Sequence, residues 1–187
     1  TNMEKLKSYF MYQMYVFSLP EETNSNIESI SNIFKLIYLL INDIKLHADS
    51  ILIYHCNAFT KKGYAYRTLE DIKEEYKKSS DKVQWIIKFT EELHTTFSNI
   101  KKLENCNDIY LTKLRSLKIP AFAYPFFIKG YKYFGDDTLK MNKLFHIIEI
   151  LVFRYNLINS RADIIARLNE ILLGFKGDVD NLKTILK

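Results

Sequence analysis

Turn-forming residues are scarce in this chain, with five glycines and three prolines spread over 187 positions. A fold of many short strands needs a turn every few residues, whereas long helices with short connections need few, so the bias is away from β and toward α. Cysteine is scarcer still. Cys56 and Cys106 stand alone, with no Cys-x-x-Cys pairing, so neither a disulfide framework nor a zinc site of paired thiols is expected, and two free thiols suit a reducing cytoplasm. Long hydrophobic runs are missing too. The longest, Leu144 to Phe153, is interrupted by His146 and Glu149 and falls well short of the roughly 20 residues that cross a bilayer. No membrane span is expected, and no charged start followed by an apolar core and a small-residue cleavage site marks a secretory signal. Glycine motifs of the forms GxxxxGK[ST] and GxGxxG are absent, so no phosphate-cradling loop is visible and no cofactor is expected.

What is present is apolar and aromatic. Hydrophobic residues make up 48% of the chain, with 13 tyrosines and 13 phenylalanines, which places it among globular proteins. A domain of this length buries about 70% of the surface of its unfolded chain. The expectation is a single all-α domain over 1–187, a bundle of eight or nine helices. Its centre is expected at about 138–157, because Leu144 to Phe153 is apolar at every position except His146 and Glu149. A helix apolar nearly all round must be wrapped by others. Glu149 and Arg154 are then the charges most exposed to burial, and each is expected to find an opposite partner or reach the surface.

The remaining helices follow from spacing and stop signals. Leu6, Phe10, Met14 and Phe17 recur by four, four and three between Met3 and Leu19, and Pro20 ends that helix. Ser25 to Phe59 reads as a long helical stretch broken around Asn42 to Asp49. Thr68 is expected to cap a short, mostly charged surface helix over Leu69 to Lys78. The clearest amphipathic helix carries Val83, Ile86, Thr90, Leu93, Phe97 and Ile100. Asn107 or Asp108 caps a further helix stopped by Pro120, and Pro125 sits in a first helical turn, where its missing amide costs nothing. Gly135-Asp136-Asp137 caps the central helix, Asn159-Ser160 separates it from a helix over Arg161 to Leu173, and Gly174 is expected to end that one.

Residues that could carry chemistry are few. Glu91-x-x-His94 has the spacing of di-iron bundles, but its only echo is the reversed His146-x-x-Glu149, and such sites need the motif twice plus two more glutamates. His55 and Cys56 are adjacent, so their side chains diverge on a helix; His47 stands apart. No metal site and no catalytic residue is expected. A net charge of +5 allows nucleic acid as a partner. Lys61-Lys62, Lys77-Lys78 and Lys101-Lys102 could together meet backbone phosphates, although solvated helix ends favour cations equally. Tyr124 to Phe134 interleaves aromatics and lysines as a base-stacking platform would, but core packing is the commoner use of such rings.

One stretch carries a resemblance. A helix ends in Leu117-Lys118-Ile119-Pro120, Ala121-Phe122-Ala123-Tyr124-Pro125-Phe126-Phe127 opens the next, and Ile147 to Leu173 reads IIEILVFRYNLINSRADIIARLNEIL. This order resembles the helical region of GmrSD-type proteins, a bacterial family with a ParB-like N-terminal domain and, in many members, a C-terminal HNH nuclease domain. The family's Tyr-Pro helix is matched at Tyr124 and Pro125, and its Leu-Val-x-Arg segment at Leu151, Val152, Phe153 and Arg154. The match is best over Leu114 to Leu173; Ile51 to Tyr76 is similar in layout only.

The resemblance implies a part of a modification-dependent restriction or phage-defence system, in which one domain hydrolyses nucleotide and another cuts DNA. This chain shows neither the acidic and glycine motifs of the ParB-like site nor the Asp-His-Ile start of the HNH motif, so no catalytic residue carries over. Tyr124, Pro125 and Arg154 map onto motif positions and are expected to be architectural. The opening Thr1-Asn2-Met3 looks like a tag remnant ahead of a piece cut from a longer protein. The expected role is a non-enzymatic cytoplasmic scaffold that couples other domains of the same parent and touches DNA backbone. The alternatives are a free-standing nucleic-acid-binding helical domain, and an interaction module with an apolar groove left open when partner domains are absent.

Overall fold

The computed structural model describes residues 1–60, 62–65, 67–158 and 162–186, and among them the only regular structure is helical, in ten α-helices and two short 3-10 turns. The all-α expectation holds, with one helix more than the upper count. The described residues group into two compact units, Thr1–Ile53 with Arg67–Glu104, and Tyr54–Tyr66 with Asn105–Lys187.

In the first unit α1 (Asn2–Phe17) packs on α2 (Thr23–Asp43). Leu6, Phe10 and Met14 recur every four residues and are buried. The opening residues belong to the fold, since Thr1 forms a capping box with Glu4 and Met3 is buried. The Asp49 carboxylate accepts from the Asn2 and Met3 amides at 3.1 and 3.2 Å. A carboxylate at a helix N-terminus satisfies orphan donors and complements the dipole. The break after Asp43 is held by Glu104, whose carboxylate accepts from the Lys45 and Leu46 amides. Then α3 (Ala48–Phe59) begins, and α5 (Lys82–Asn105) buries Ile86, Thr90, Leu93, Phe97 and Ile100 of the stripe read from spacing, with its first member Val83 half-buried. Phe10 meets Trp85 and Phe89 edge-on, with ring centroids 6.1 and 5.6 Å apart.

Two expectations fail at α4 (Leu69–Lys78). Thr68 makes no side-chain cap and has φ of 61°; the Asp71 carboxylate turns back instead and accepts from the Arg67 amide. Nor is α4 a surface helix of charges, because Asp71, Ile72 and Tyr76 are buried on one face. Asp71 and Ile72 are adjacent and Tyr76 lies five and four residues beyond them, a stripe too narrow to stand out among the charged residues around it.

The second unit holds the rest of α3, the 3-10 turn Gly63–Ala65, α6 (Ile109–Ser116), the 3-10 turn Ala121–Ala123, α7 (Tyr124–Phe134), α8 (Thr138–Ile158), α9 (Ala162–Gly174) and α10 (Val179–Ile185). Asp108 caps α6, accepting from the Tyr110 and Leu111 amides at 2.8 and 3.0 Å, while its other oxygen takes a bond from Asn142 of α8. Pro125 lies buried in the first turn of α7. Gly63 sits at φ +53°, where a Cβ would lie 1.8 Å from Asn169 Oδ1, and that same oxygen accepts from the Tyr64 amide. Only glycine fits a left-handed turn pressed this closely on a neighbour. Helix α9 runs through Gly174, whose φ is not left-handed, so the expected glycine cap is absent. Asn159, Ser160 and Arg161 lie outside the described residues. Helix α10 was not read from the sequence, although Asp178 is an ordinary N-cap accepting from the Asn181 amide at 2.9 Å.

Helix α8 is the hub of this unit, since α6, α7 and α10 all pack on it. It is not wrapped all round. Met141, Leu144, Phe145, Ile148 and Val152 are buried on its inner face, whereas Leu139, Phe153 and Leu157 are 77, 51 and 68% exposed. Residues turn by about 100° each along a helix, which puts Leu139, Ile150, Phe153 and Leu157 opposite the buried set. The sequence pattern was right about the apolar groups and wrong about what covers them.

Candidate interaction face on helix α8

The outer face of α8 is built by spacing. Leu139, Lys143, His146, Ile150, Phe153 and Leu157 follow one another by four, three, four, three and four, the interval that keeps side chains on one seam of a helix. Lys143 and His146 are exposed and Ile150 is half-buried. Along one flank of the seam lies an open groove of about 270 Å³, lined by Lys143, His146, Ile147, Ile150, Leu151 and Arg154 from α8 and by Val179, Asp180, Lys183 and Leu186 from α10 and the residue after it. Its floor is aliphatic and its rim carries Lys143, Arg154 and Lys183 against one carboxylate, Asp180. Among the described residues none of those three cations is in an ion pair. His146 is fixed by stacking on Tyr110 of α6, with ring centroids 4.2 Å apart.

Arg154, expected to find an opposite partner or reach the surface, reaches the surface on this rim, and Glu149 is half-buried. Both lie away from the inner face that the helical turn assigns to the core. Among the described residues the buried side chains of the charged and histidine types are instead Asp71, His55 and Lys129. The Lys129 ammonium donates to the Leu172 carbonyl in the last turn of α9, where a helix favours a cation. Burial, with Lys132 and Lys176 nearby, lowers its pKa to about 8. Burial, with Lys132, holds the His55 imidazole down at about 3, so it is neutral at ordinary pH, edge-on to Phe59.

The other residues singled out in the sequence are divided between the two units. Lys61 lies outside the described residues, and Lys62 is half-buried in the second unit. Lys77 and Lys78 are exposed at the end of α4, just before α5 starts, whereas Lys101 and Lys102 lie near its far end. At 1.5 Å per residue these two doublets are about 30 Å apart. Lys101 also pairs with Asp43 at 2.5 Å. Of the aromatic stretch, Phe126 and Phe127 are buried, and Tyr124 stacks on Tyr54 with centroids 4.8 Å apart and planes 2° from parallel, so these rings pack rather than wait for bases. Tyr133 alone among the aromatic side chains of α7 is exposed.

His47 accepts from the Asp49 amide at its Nδ1, and His94 is half-buried. Cys56 is buried and Cys106 half-buried, neither in a disulfide, and burial pushes the Cys106 thiol up. Among the described residues no group of three or more His, Cys, Asp and Glu side chains could hold a metal ion, and no helix is long and apolar enough to cross a membrane. The residues of this candidate face that the sequence did not single out are Lys143, Ile150 and Leu157 on α8 and Lys183 on α10. For the three on α8 the signal was the four-three spacing, masked because the inner face of the same helix is equally apolar; Lys183 carried none. No family model, no curated protein and no solved structure matches the chain.

Proposed function

We propose that the chain is a non-catalytic helical scaffold, a middle or C-terminal region of a GmrSD-like protein, which couples a ParB-like nucleotide-dependent domain to an HNH nuclease domain of the same parent in a restriction or phage-defence system. The observation that carries the scaffold role is the uncovered apolar face of α8, with Leu139, Phe153 and Leu157 exposed in one seam. Fully burying a Leu or Phe is worth about 1.5–3 kcal/mol, so a seam of three left in water is a surface built to be covered. What ties the scaffold to that family is the order of the Tyr124-Pro125 helix and the Leu151 to Arg154 segment. DNA enters as the parent's substrate, and Lys62, Lys77, Lys78, Lys101 and Lys102 are the described residues that would touch its backbone. Reading the coding sequence on both sides of this segment tests the family assignment. A ParB-like segment upstream in the same frame is the expected result, and an open reading frame from Met3 to a stop after Lys187 with none upstream contradicts it.

A further inference from the structure

We infer that the outer face of α8 receives a single partner helix, amphipathic and acidic on its flanks, whose apolar stripe lies along the α8 seam while its carboxylates meet the rim at Lys143, Arg154 and Lys183. The inference deepens the scaffold reading by naming the partner's chemistry, and it rests on that reading only for why a partner exists.

The groove alone is small. It holds about 270 Å³ and is partly open to solvent, just under the roughly 300–1,000 Å³ of sites that take drug-sized ligands. Such a groove fits one or two anchoring side chains, and the seam beside it supplies the remaining contacts. From Leu139 to Leu157 that seam runs for five helical turns at 1.5 Å per residue, with side chains at the four-three interval that accepts knobs from a facing helix. Helix-in-groove recognition is read from such anchors at three- and four-residue steps.

Charge selects among helices. The groove rim carries three cations and one carboxylate, Asp180. A second copy of this chain docked face to face would bring the two cationic rims together, and like charges across an interface cost affinity and suppress the wrong partner. A helix flanked by Glu or Asp meets the same rim with opposite sign. Rim charges of this kind set the association rate and its salt dependence, while the buried apolar anchors set the lifetime of the complex.

The test uses three fluorescent helical peptides of about three heptads: Leu at four-three spacing flanked by Glu, the same stripe flanked by Lys, and the Glu-flanked peptide with its stripe changed to Ser. Anisotropy titrations on the whole chain should show saturable binding of the first, weakening with salt, and neither of the others should saturate. The Ile150→Asp variant should abolish binding. The exposed pair Lys143→Glu with Lys183→Glu should weaken the acidic peptide by about tenfold and admit the Lys-flanked one. Because Ile150 is half-buried, circular dichroism of each variant checks folding, and the charge reversal at two exposed residues keeps the test valid if Ile150→Asp unfolds. Equal affinity for the first two peptides, no binding of the acidic peptide, or indifference to the charge reversal overturns the inference. A stable dimer by light scattering that excludes the peptide also overturns it, in favour of a second copy. None of these results alters the coding sequence that decides the family assignment.

Discussion

His55 and Lys129 are side chains that the fold holds away from water, and their pH effects fall in different windows. The imidazole titrates at about 3 when folded, against 6.5 when free. Below 6.5 the unfolded chain takes up a proton that the folded chain refuses. Stability from this group is therefore complete above about pH 6.5 and is lost as pH falls toward 3, with a limiting slope of about 1.4 kcal/mol per pH unit. Urea unfolding of the wild type and His55→Gln between pH 7 and 4.5 should show the stability difference shrinking in acid; parallel curves contradict this. For Lys129 the folded pKa is about 8 against 10.5. Between those values the unfolded chain holds the proton and the folded chain does not, so stability rises with pH from about 8 to 10.5. Lys129→Met should flatten that rise, read from thermal midpoints at pH 8 and 10. Neither residue was legible as buried from the sequence. Lys129 lies on a helix with Lys132 and Tyr133 and looks amphipathic, and only the approach of the Leu172 carbonyl explains its burial. Glu149 and Arg154 looked buried because their neighbours are apolar, but apolar neighbours along the chain do not say which way a helix faces.

At the scale of elements the sequence was more informative. Helix spacing and stop signals located nine of the ten helices among the described residues, because caps such as Asp108 and periodic stripes such as Ile86 to Ile100 are local features of the chain. What spacing could not supply is which faces meet. Gly130 shows the point, since in the interior of α7 it reads as a weak spot where alanine would help by about 0.5–1 kcal/mol. In the fold a Cβ there would lie 2.4 Å from Leu144 Cδ2 and 3.0 Å from Met141 Sδ, and both side chains are buried in α8. Gly130→Ala should therefore destabilise the chain by about 1–3 kcal/mol through overpacking; a gain in the chemical-denaturation midpoint would show that α7 and α8 are less closely apposed. Helix α10 was missed because seven residues carry too little periodicity. Its cap matters to the groove wall, and Asp178→Ala should cost about 1 kcal/mol. The same change should weaken acidic-peptide binding while leaving the stacking of Tyr110 on His146 intact, which an aromatic NMR shift at His146 would register.

For the whole molecule, the fold class was legible because scarce glycine and proline, abundant aromatics and long periodic segments all favour helices. The interaction face was only half legible. A segment apolar all round was visible as such, but whether its outer side is covered by this chain or by another depends on how many helices reach it, and α6, α7 and α10 reach only part of α8. The net charge of +5 suggested phosphate as the counterpart, whereas the cations lining a groove with an aliphatic floor favour carboxylates on a helix. The measurement that tests this most directly is methyl NMR of the isoleucine side chains during titration with the Glu-flanked peptide. The account predicts that Ile147 and Ile150 shift and saturate together while Ile86 and Ile100, buried on α5, stay still. Silence at Ile147 and Ile150, with shifts elsewhere or none at all, would contradict it.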